Sequence, residues 1–173
     1  MSTSALEVNP DTPPVESLDD QLRVLYPWAL TTARLLTKSD QEARDVVQDA
    51  MIRALERAPA VQTLAERRAW LRTTITRLHL NYIRRRRNEL RALLRSITRV
   101  TTNPIEVADS SLLVLQALAA IPPRQRACVV LRYYEDLPEA DIARALRVSV
   151  GTVKAHLSQA RAKLRGLLDS PGV

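Results

Sequence analysis

The sequence predicts an all-α fold: two small helical domains joined by a flexible linker. Three observations carry that expectation. Glycine is scarce (3), phenylalanine is absent and aromatics make up 3%, whereas Ala, Leu and Arg abound, so helix formers outweigh strand formers. Apolar residues recur every three or four positions along most of the chain. Prolines at 59, 104, 122 and 123 then divide those periodic runs. With 173 residues, 46% of them hydrophobic, the chain can bury one ordinary core or two small ones. The expected divisions are a disordered tail over 1–16, a first domain over 17–88, a linker over 89–110 and a second domain over 111–169.

The tail holds Pro10, Pro13 and Pro14 among small polar residues, too little apolar surface to offset the entropy of ordering. From Leu18, a first helix is predicted by Leu22, Leu25, Ala29, Ala33 and Leu36, with Pro27 bending it or confining regular hydrogen bonding to either side. Ser39 with Glu42 three residues later is a capping-box pattern. It opens a second helix whose stripe is Ala43, Val46, Val47, Ala50, Met51, Ala54 and Leu55, with Pro59 as its stop. A third helix is expected from near Ala65, directing Trp70, Leu71, Thr74, Ile75, Leu78 and Tyr82 inward and ending at Arg84–Arg87. Three amphipathic helices can close one core. Between 84 and 99 stand seven arginines and one acid, Glu89, and the polar, β-branched stretch TRVTTNPIEVADSS that follows has a linker's composition.

The second domain begins near Ser111 with a helix to about Ala120. After Pro122 and Pro123 comes a helix from Arg124 to Tyr134 with Ala127, Val130, Leu131 and Tyr134 inward, then two short helices. Those last two, LPEADIARALRVSVGTVKAHLSQARAKLR, fit a helix-turn-helix. Ile142 and Leu146 supply the buried face of the first helix, and Ala143 is small where the helices approach. Val148 fills the turn, Ser149 caps the next helix, and Val153 and Leu157 return its apolar face to the core. The residues left outward are Gly151, Thr152, Lys154, Ala155, Ser158 and Arg161, and no acid occurs between Arg147 and Leu168. An ordinary hairpin with a solvated face normally mixes both signs of charge. A uniformly basic face that opens on small residues suits the major groove and its phosphates instead.

Charge agrees with that partner class: the formal net charge is +7 and the sequence pI about 10.3. No stretch approaches the roughly 20 apolar residues of a membrane span, and MSTSALEVNPDTPPVESLDD lacks a basic start followed by an apolar core. A cytoplasmic protein without membrane insertion is expected. The single cysteine, Cys128, stands among Ala127, Val129, Val130 and Leu131 and reads as a small core residue. His79 and His156 have no acid or Cys at ligand spacing, so no metal site is expected. There is no Gly-rich phosphate loop, Ser/His/Asp grouping or paired His/carboxylate motif; the chain is expected to be no enzyme and to need no cofactor.

LAAIPPRQRACVVLRYYEDLPEADIARALRVSVGTVKAHLSQARAKLR closely resembles region four of the extracytoplasmic-function sigma factors of bacterial RNA polymerase, in both its PPRQR opening and its GTVK start to the recognition helix. SDQEARDVVQDAMIRAL resembles region two, and RAWLRTTITRLHLNYIRRRR the helix that follows it. Two matching segments in the same order are more specific than a helix-turn-helix alone. The resemblance covers about residues 18–168.

It implies a protein that binds core RNA polymerase, through its β′ clamp and β flap, and directs initiation at promoters with particular minus-ten and minus-thirty-five elements. Asp45, Gln48, Asp49 and Arg53 would then dock on the clamp. The loop and helix start at about 58–67, together with Arg67, Trp70, Arg77, Asn81, Arg84, Arg85, Arg86 and Arg87, would meet the minus-ten region. Trp70 lies on the apolar stripe and so reads as core, and Arg84–Arg87 suit backbone phosphates. Arg77 and Asn81 stand where relatives often have Asn and Asp. Ser149, Gly151, Thr152, Lys154, Ala155, His156, Ser158 and Arg161 would meet the minus-thirty-five element. Arg147 occupies a turn position usually held by Gly, which implies either a strained left-handed backbone or a slightly different turn. Glu106 and Asp109 in the linker would mimic the charge of RNA near the polymerase cleft, and an anti-sigma protein is a further partner of many members. Two other readings compete. One is a dimeric helix-turn-helix regulator using residues 18–87 for dimerisation or ligand binding; the other is a helical adaptor whose basic charge serves solubility.

Overall fold

A computed structural model describes residues 17–57, 63–94 and 110–168, and among these there are helices and no strands. In chain order they are α1 (Leu18–Leu36), α2 (Asp40–Arg57), α3 (Leu64–Leu94), α4 (Ser110–Ala120), α5 (Pro123–Val129), α6 (Glu139–Leu146) and α7 (Val150–Leu168). The expectations for the tail over 1–16, for most of the loop before α3, and for Pro104, Glu106 and Asp109 fall outside the described residues.

Local chemistry starts most of these helices. Ser17 Oγ accepts from the Asp20 amide (3.2 Å) and Ser39 Oγ from the Glu42 amide (3.1 Å), each satisfying a donor that the first turn leaves without a partner. Thr63 and Glu66 form a complete capping box, with Glu66 N–H donating to Thr63 Oγ1 (3.2 Å) and Thr63 N–H to the Glu66 carboxylate (3.3 Å). α1 passes through Pro27 as a single helix; the proline lies exposed, where water can meet a carbonyl that lost its N–H partner.

α1, α2 and α3 pack pairwise around Leu22, Leu25, Ala29, Ala33, Leu36, Ala43, Val46, Val47, Ala50, Leu71 and Ile75, all buried. Several expectations need correction here. Leu55 is 59% exposed and Tyr82 45%, and Arg67, Thr76 and His79 are buried instead; Thr74 is half-buried, and Trp70 and Leu78, also half-buried, pack against the core as expected. The reason is that α3 is covered twice, by α1 and α2 on one side and by α5 and α6 on the other, which widens and rotates its buried arc. His79, which has no acid at ligand spacing in the sequence, meets one through the fold: its Nδ1 lies 3.2 Å from Glu42 Oε1. Burial alone would raise the Glu42 carboxyl, but His79, the Lys38 amide and the Arg126 charge outweigh it and hold its pKa below the ordinary 4.5.

α3 also does not end at Arg84–Arg87. It continues to Leu94, because arginine is a good helix former and neither Gly nor Pro interrupts the run.

The second bundle buries Leu118, Ile121, Ala127, Cys128, Val130, Leu131, Ile142, Val153, Leu157 and Ala160. Burial pushes the Cys128 thiol up to about 11, as suits a core residue rather than a reactive one. The helix expected over Arg124–Tyr134 is α5 followed by one π-helical turn, Val130–Tyr134, closed by Glu135 N–H on Val130 O (3.1 Å). That wider turn rotates Tyr134 outward to 42% exposure, where an inward position was expected, and delivers Glu135 to the interior. α7 spans 19 residues and is not short.

Candidate nucleic-acid interface

α6 and α7 form the helix-turn-helix. Ile142 is fully buried, Ala143 is 6% exposed at the crossing, and Val153 and Leu157 return α7 to the core. Arg147 adopts the left-handed conformation (φ 55°, ψ 51°), and Val148 N–H closes the turn on Ala143 O (3.0 Å). The turn therefore keeps the geometry a glycine would give, at a cost of roughly 1–2 kcal/mol for the arginine Cβ. Ser149 Oγ accepts from the Thr152 amide (3.0 Å), capping α7 as the sequence predicts.

Gly151, Lys154, Ala155, Ser158 and Arg161 project into solvent, with Thr152 half-exposed beside them. Among the described residues only Lys154 has an acid nearby, Glu139 Oε2 at 3.9 Å, too long and too exposed to hold it. Gln159 is tied to Gln125 (2.7 Å), which braces α7 on α5. His156 is half-buried and faces a cavity of about 160 Å³ shared with Arg77, Asn81, Arg124 and Arg147, with no acid in its wall. Burial and the charge of Arg147 lower the Arg77 pKa from its ordinary value, the sign of cations gathered without a counter-ion.

In the first bundle, Asp45, Gln48, Asp49 and Arg53 are all exposed along one face of α2. Asp45, Asp49 and Arg53 border a groove of about 210 Å³ against Asn81, Tyr82 and Arg85 of α3. The residues expected at the minus-ten region separate into three groups. Arg84–Arg87 and Asn81 are exposed. Trp70 is half-buried and packs on the core. Arg67 is 5% exposed and donates through Nε to buried Gln21 Oε1 (3.2 Å), while Arg77 donates to Ala145 O (2.7 Å) and Arg144 O (3.2 Å) at the end of α6.

Two structural hubs escape sequence reasoning. Arg126 is fully buried, donating to Leu36 O (2.7 Å), Thr37 O (3.3 Å), Ala119 O (3.1 Å) and Ile121 O (3.1 Å). Its register, four residues before buried Val130, was the available signal. Glu135 is the other hub, and nothing near it in sequence names its partners, which lie 63 to 107 residues away.

The chain matches the family model for sigma-70 region 2 over residues 22–89 and that for sigma-70 region 4 over residues 111–164. It is 34% identical over 160 residues to the ECF RNA polymerase sigma factor SigL of Mycobacterium tuberculosis, covering 90% of this chain and 88% of that protein. It is 34% identical over 136 residues to SigM of the same species, covering 79% and 69%. The RNA polymerase sigma-E factor of Streptomyces avermitilis is 30% identical over 157 residues, covering 90% and 87%. Among solved structures, the sigma factor RpoE of Bartonella quintana, in complex with the anti-sigma factor NepR, superposes with a TM-score of 0.68 at 24% identity, covering 91% of this chain and all of that one. CnrH, in complex with the cytosolic domain of CnrY, gives 0.59 at 23%, covering 90% and 92%. Those two likenesses carry the fold.

Proposed function

The chain belongs to the extracytoplasmic-function RNA polymerase sigma factors and directs promoter-specific transcription initiation, and we propose the following division of labour among its residues. The observation that carries it is the free, uniformly basic face of α7, capped by Ser149 and opening on Gly151 and Thr152. Lys154, Ser158 and Arg161 reach base edges and phosphates of the minus-thirty-five element, and Thr152, Ala155 and Gly151 permit the close approach. Arg84–Arg87, exposed along the second half of α3, contact backbone phosphates near the minus-ten element, which fixes position more than sequence. Asn81 and, once released from α6, Arg77 lie on the same helix and face the separated strand. Asp45, Gln48, Asp49 and Arg53 dock on the β′ clamp of core polymerase, and the second bundle engages the β flap.

Catalysis belongs to the polymerase, and this chain is a specificity subunit acting in the cytoplasm; among its described residues no helix is long and apolar enough to cross a membrane. An anti-sigma protein is its expected regulator, a reading supported by the similar sigma factor RpoE of Bartonella quintana, whose structure is a complex with the anti-sigma factor NepR. The rival dimeric regulator needs a ligand or dimerisation domain over 18–87, where a sigma region 2 model matches instead.

The test is reconstitution: core polymerase, this protein and promoter DNA are mixed, and run-off transcripts are mapped. Specific starts are expected only when protein and polymerase are both present. Tight binding of the protein alone to a two-fold symmetric operator, with no polymerase-dependent starts, would reverse the conclusion in favour of the rival.

A further inference from the structure

The two bundles meet through three charged groups, each aimed across the joint. Glu135 leaves the π-helical turn of the second bundle with its side chain 1% exposed. Among the described residues, every partner of its carboxylate belongs to the first bundle: Trp28 Nε1 donates at 2.8 Å, Thr32 Oγ1 at 3.1 Å, Arg68 Nη2 at 3.5 Å, and Arg72 Nη1 lies at 3.6 Å. Arg68 also stacks on the Trp28 ring at 4.7 Å, which fixes one guanidinium of the cradle. Arg126 reaches the opposite way, onto Leu36 O and Thr37 O at the end of α1. Arg77 closes the third contact on the last carbonyls of α6. The latter two satisfy helix-end acceptors at the negative pole of a helix, which makes them directional.

We propose that Glu135 is an intramolecular plug in an anion cradle on the first bundle, formed by Trp28, Thr32, Arg68 and Arg72, and that this latch holds the free protein in a closed form unable to engage both promoter elements. The inference rests on the sigma-factor reading. Elements about 25 base pairs apart are separated by roughly 85 Å of duplex at 3.4 Å per base pair, whereas Arg77 of α3 here touches the carbonyls beside the recognition turn. A rigid closed molecule cannot bridge that distance.

Ionic contacts suit a joint that must open. A buried carboxylate–guanidinium cluster is geometrically specific but contributes little net free energy, because water solvates both partners once they part. Across the neighbouring cavity the charges of Arg124 and Arg147 face Arg77 and offset part of what its contacts with the end of α6 contribute, so the balance is fine enough for polymerase to tip. The covalent connection raises the effective concentration of the two faces, which lets a few contacts suffice.

The experiment uses the full chain without polymerase. Spin labels are placed on exposed Arg23→Cys of α1 and Lys163→Cys of α7, Cys128 being buried and its thiol held protonated. Pulsed dipolar spectroscopy then gives the distance distribution for the parent, for Glu135→Gln and for Arg68→Gln/Arg72→Gln. A single narrow short distance is expected in the parent, and a longer, broader distribution in both variants, with unchanged far-ultraviolet circular dichroism. The apparent Kd of Glu135→Gln for core polymerase should fall about tenfold, as the competent fraction rises. An already broad distribution in the parent, or a narrow unchanged one in a folded variant, overturns the latch. If Glu135→Gln fails to fold, the arginine pair alone decides, since it empties the cradle from the other side. Loss of polymerase-dependent transcription in the parent would overturn the sigma reading and leave the distance result standing.

Discussion

The first half of α3 and the exposed face of α7 are both arginine- or lysine-bearing helix surfaces, yet they are used in opposite ways. On α3, Arg67, Arg68, Arg72 and Arg77 are each committed within the molecule, to Gln21, to Glu135 and to the carbonyls of α6. On α7, Lys154 and Arg161 stand in solvent, Lys154 with a distant acid beside it and Arg161 turning Nε back only onto Leu157 O of its own helix (3.3 Å). The contrast shows that a basic residue's availability to nucleic acid is decided by what folds against it, not by its charge. Committed cations stabilise or lock the protein; free ones are left for a partner that arrives later.

The contrast can be broken most decisively on α7. Lys154→Ala/Arg161→Ala should weaken minus-thirty-five duplex binding by about 2–6 kcal/mol in total, at 1–3 kcal/mol per lost specific contact, with no change in melting temperature; fluorescence anisotropy and thermal scans measure the two. A large loss of stability with unchanged affinity would erase the distinction. Replacing Arg84–Arg87 by alanine should come next. Promoter affinity of the holoenzyme should fall for every sequence alike, and the slope of log K against log salt should drop by about 3, at 0.7–0.9 per phosphate contact.

Committed cations should answer differently. Arg67→Met strands the buried Gln21 amide oxygen and should destabilise the first bundle by about 1–3 kcal/mol in urea unfolding, while leaving binding of the minus-thirty-five duplex intact. The smallest expected effect sharpens the comparison at the turn itself. Arg147→Gly relieves the left-handed strain and should raise stability by about 1 kcal/mol, seen as a melting temperature a few degrees higher.

Much of this was legible in the sequence because it depends on neighbours. Helical periodicity, the Ser39 cap, the Ser149 cap and the outward set on α7 follow from spacings of three and four residues, which a helix converts directly into faces. The strained turn at Arg147 was equally readable as one of two outcomes, and its left-handed backbone is the one adopted. Misjudged positions share a cause. Leu55, Tyr82 and Tyr134 were assigned inward by period alone, but period does not state how many neighbours an element will have or where a π-helical turn shifts the register.

The sequence by itself determined an all-helical chain, its helix-turn-helix and the sign of the face offered to a partner, since these are set by local backbone geometry and side-chain periodicity. Only the tertiary structure decided which cations are spent internally. Glu135 finds Trp28 and Thr32 more than a hundred residues upstream, and Arg126 finds the carbonyls that end α1, because a buried charge must be satisfied by whatever the packing brings within about 3 Å.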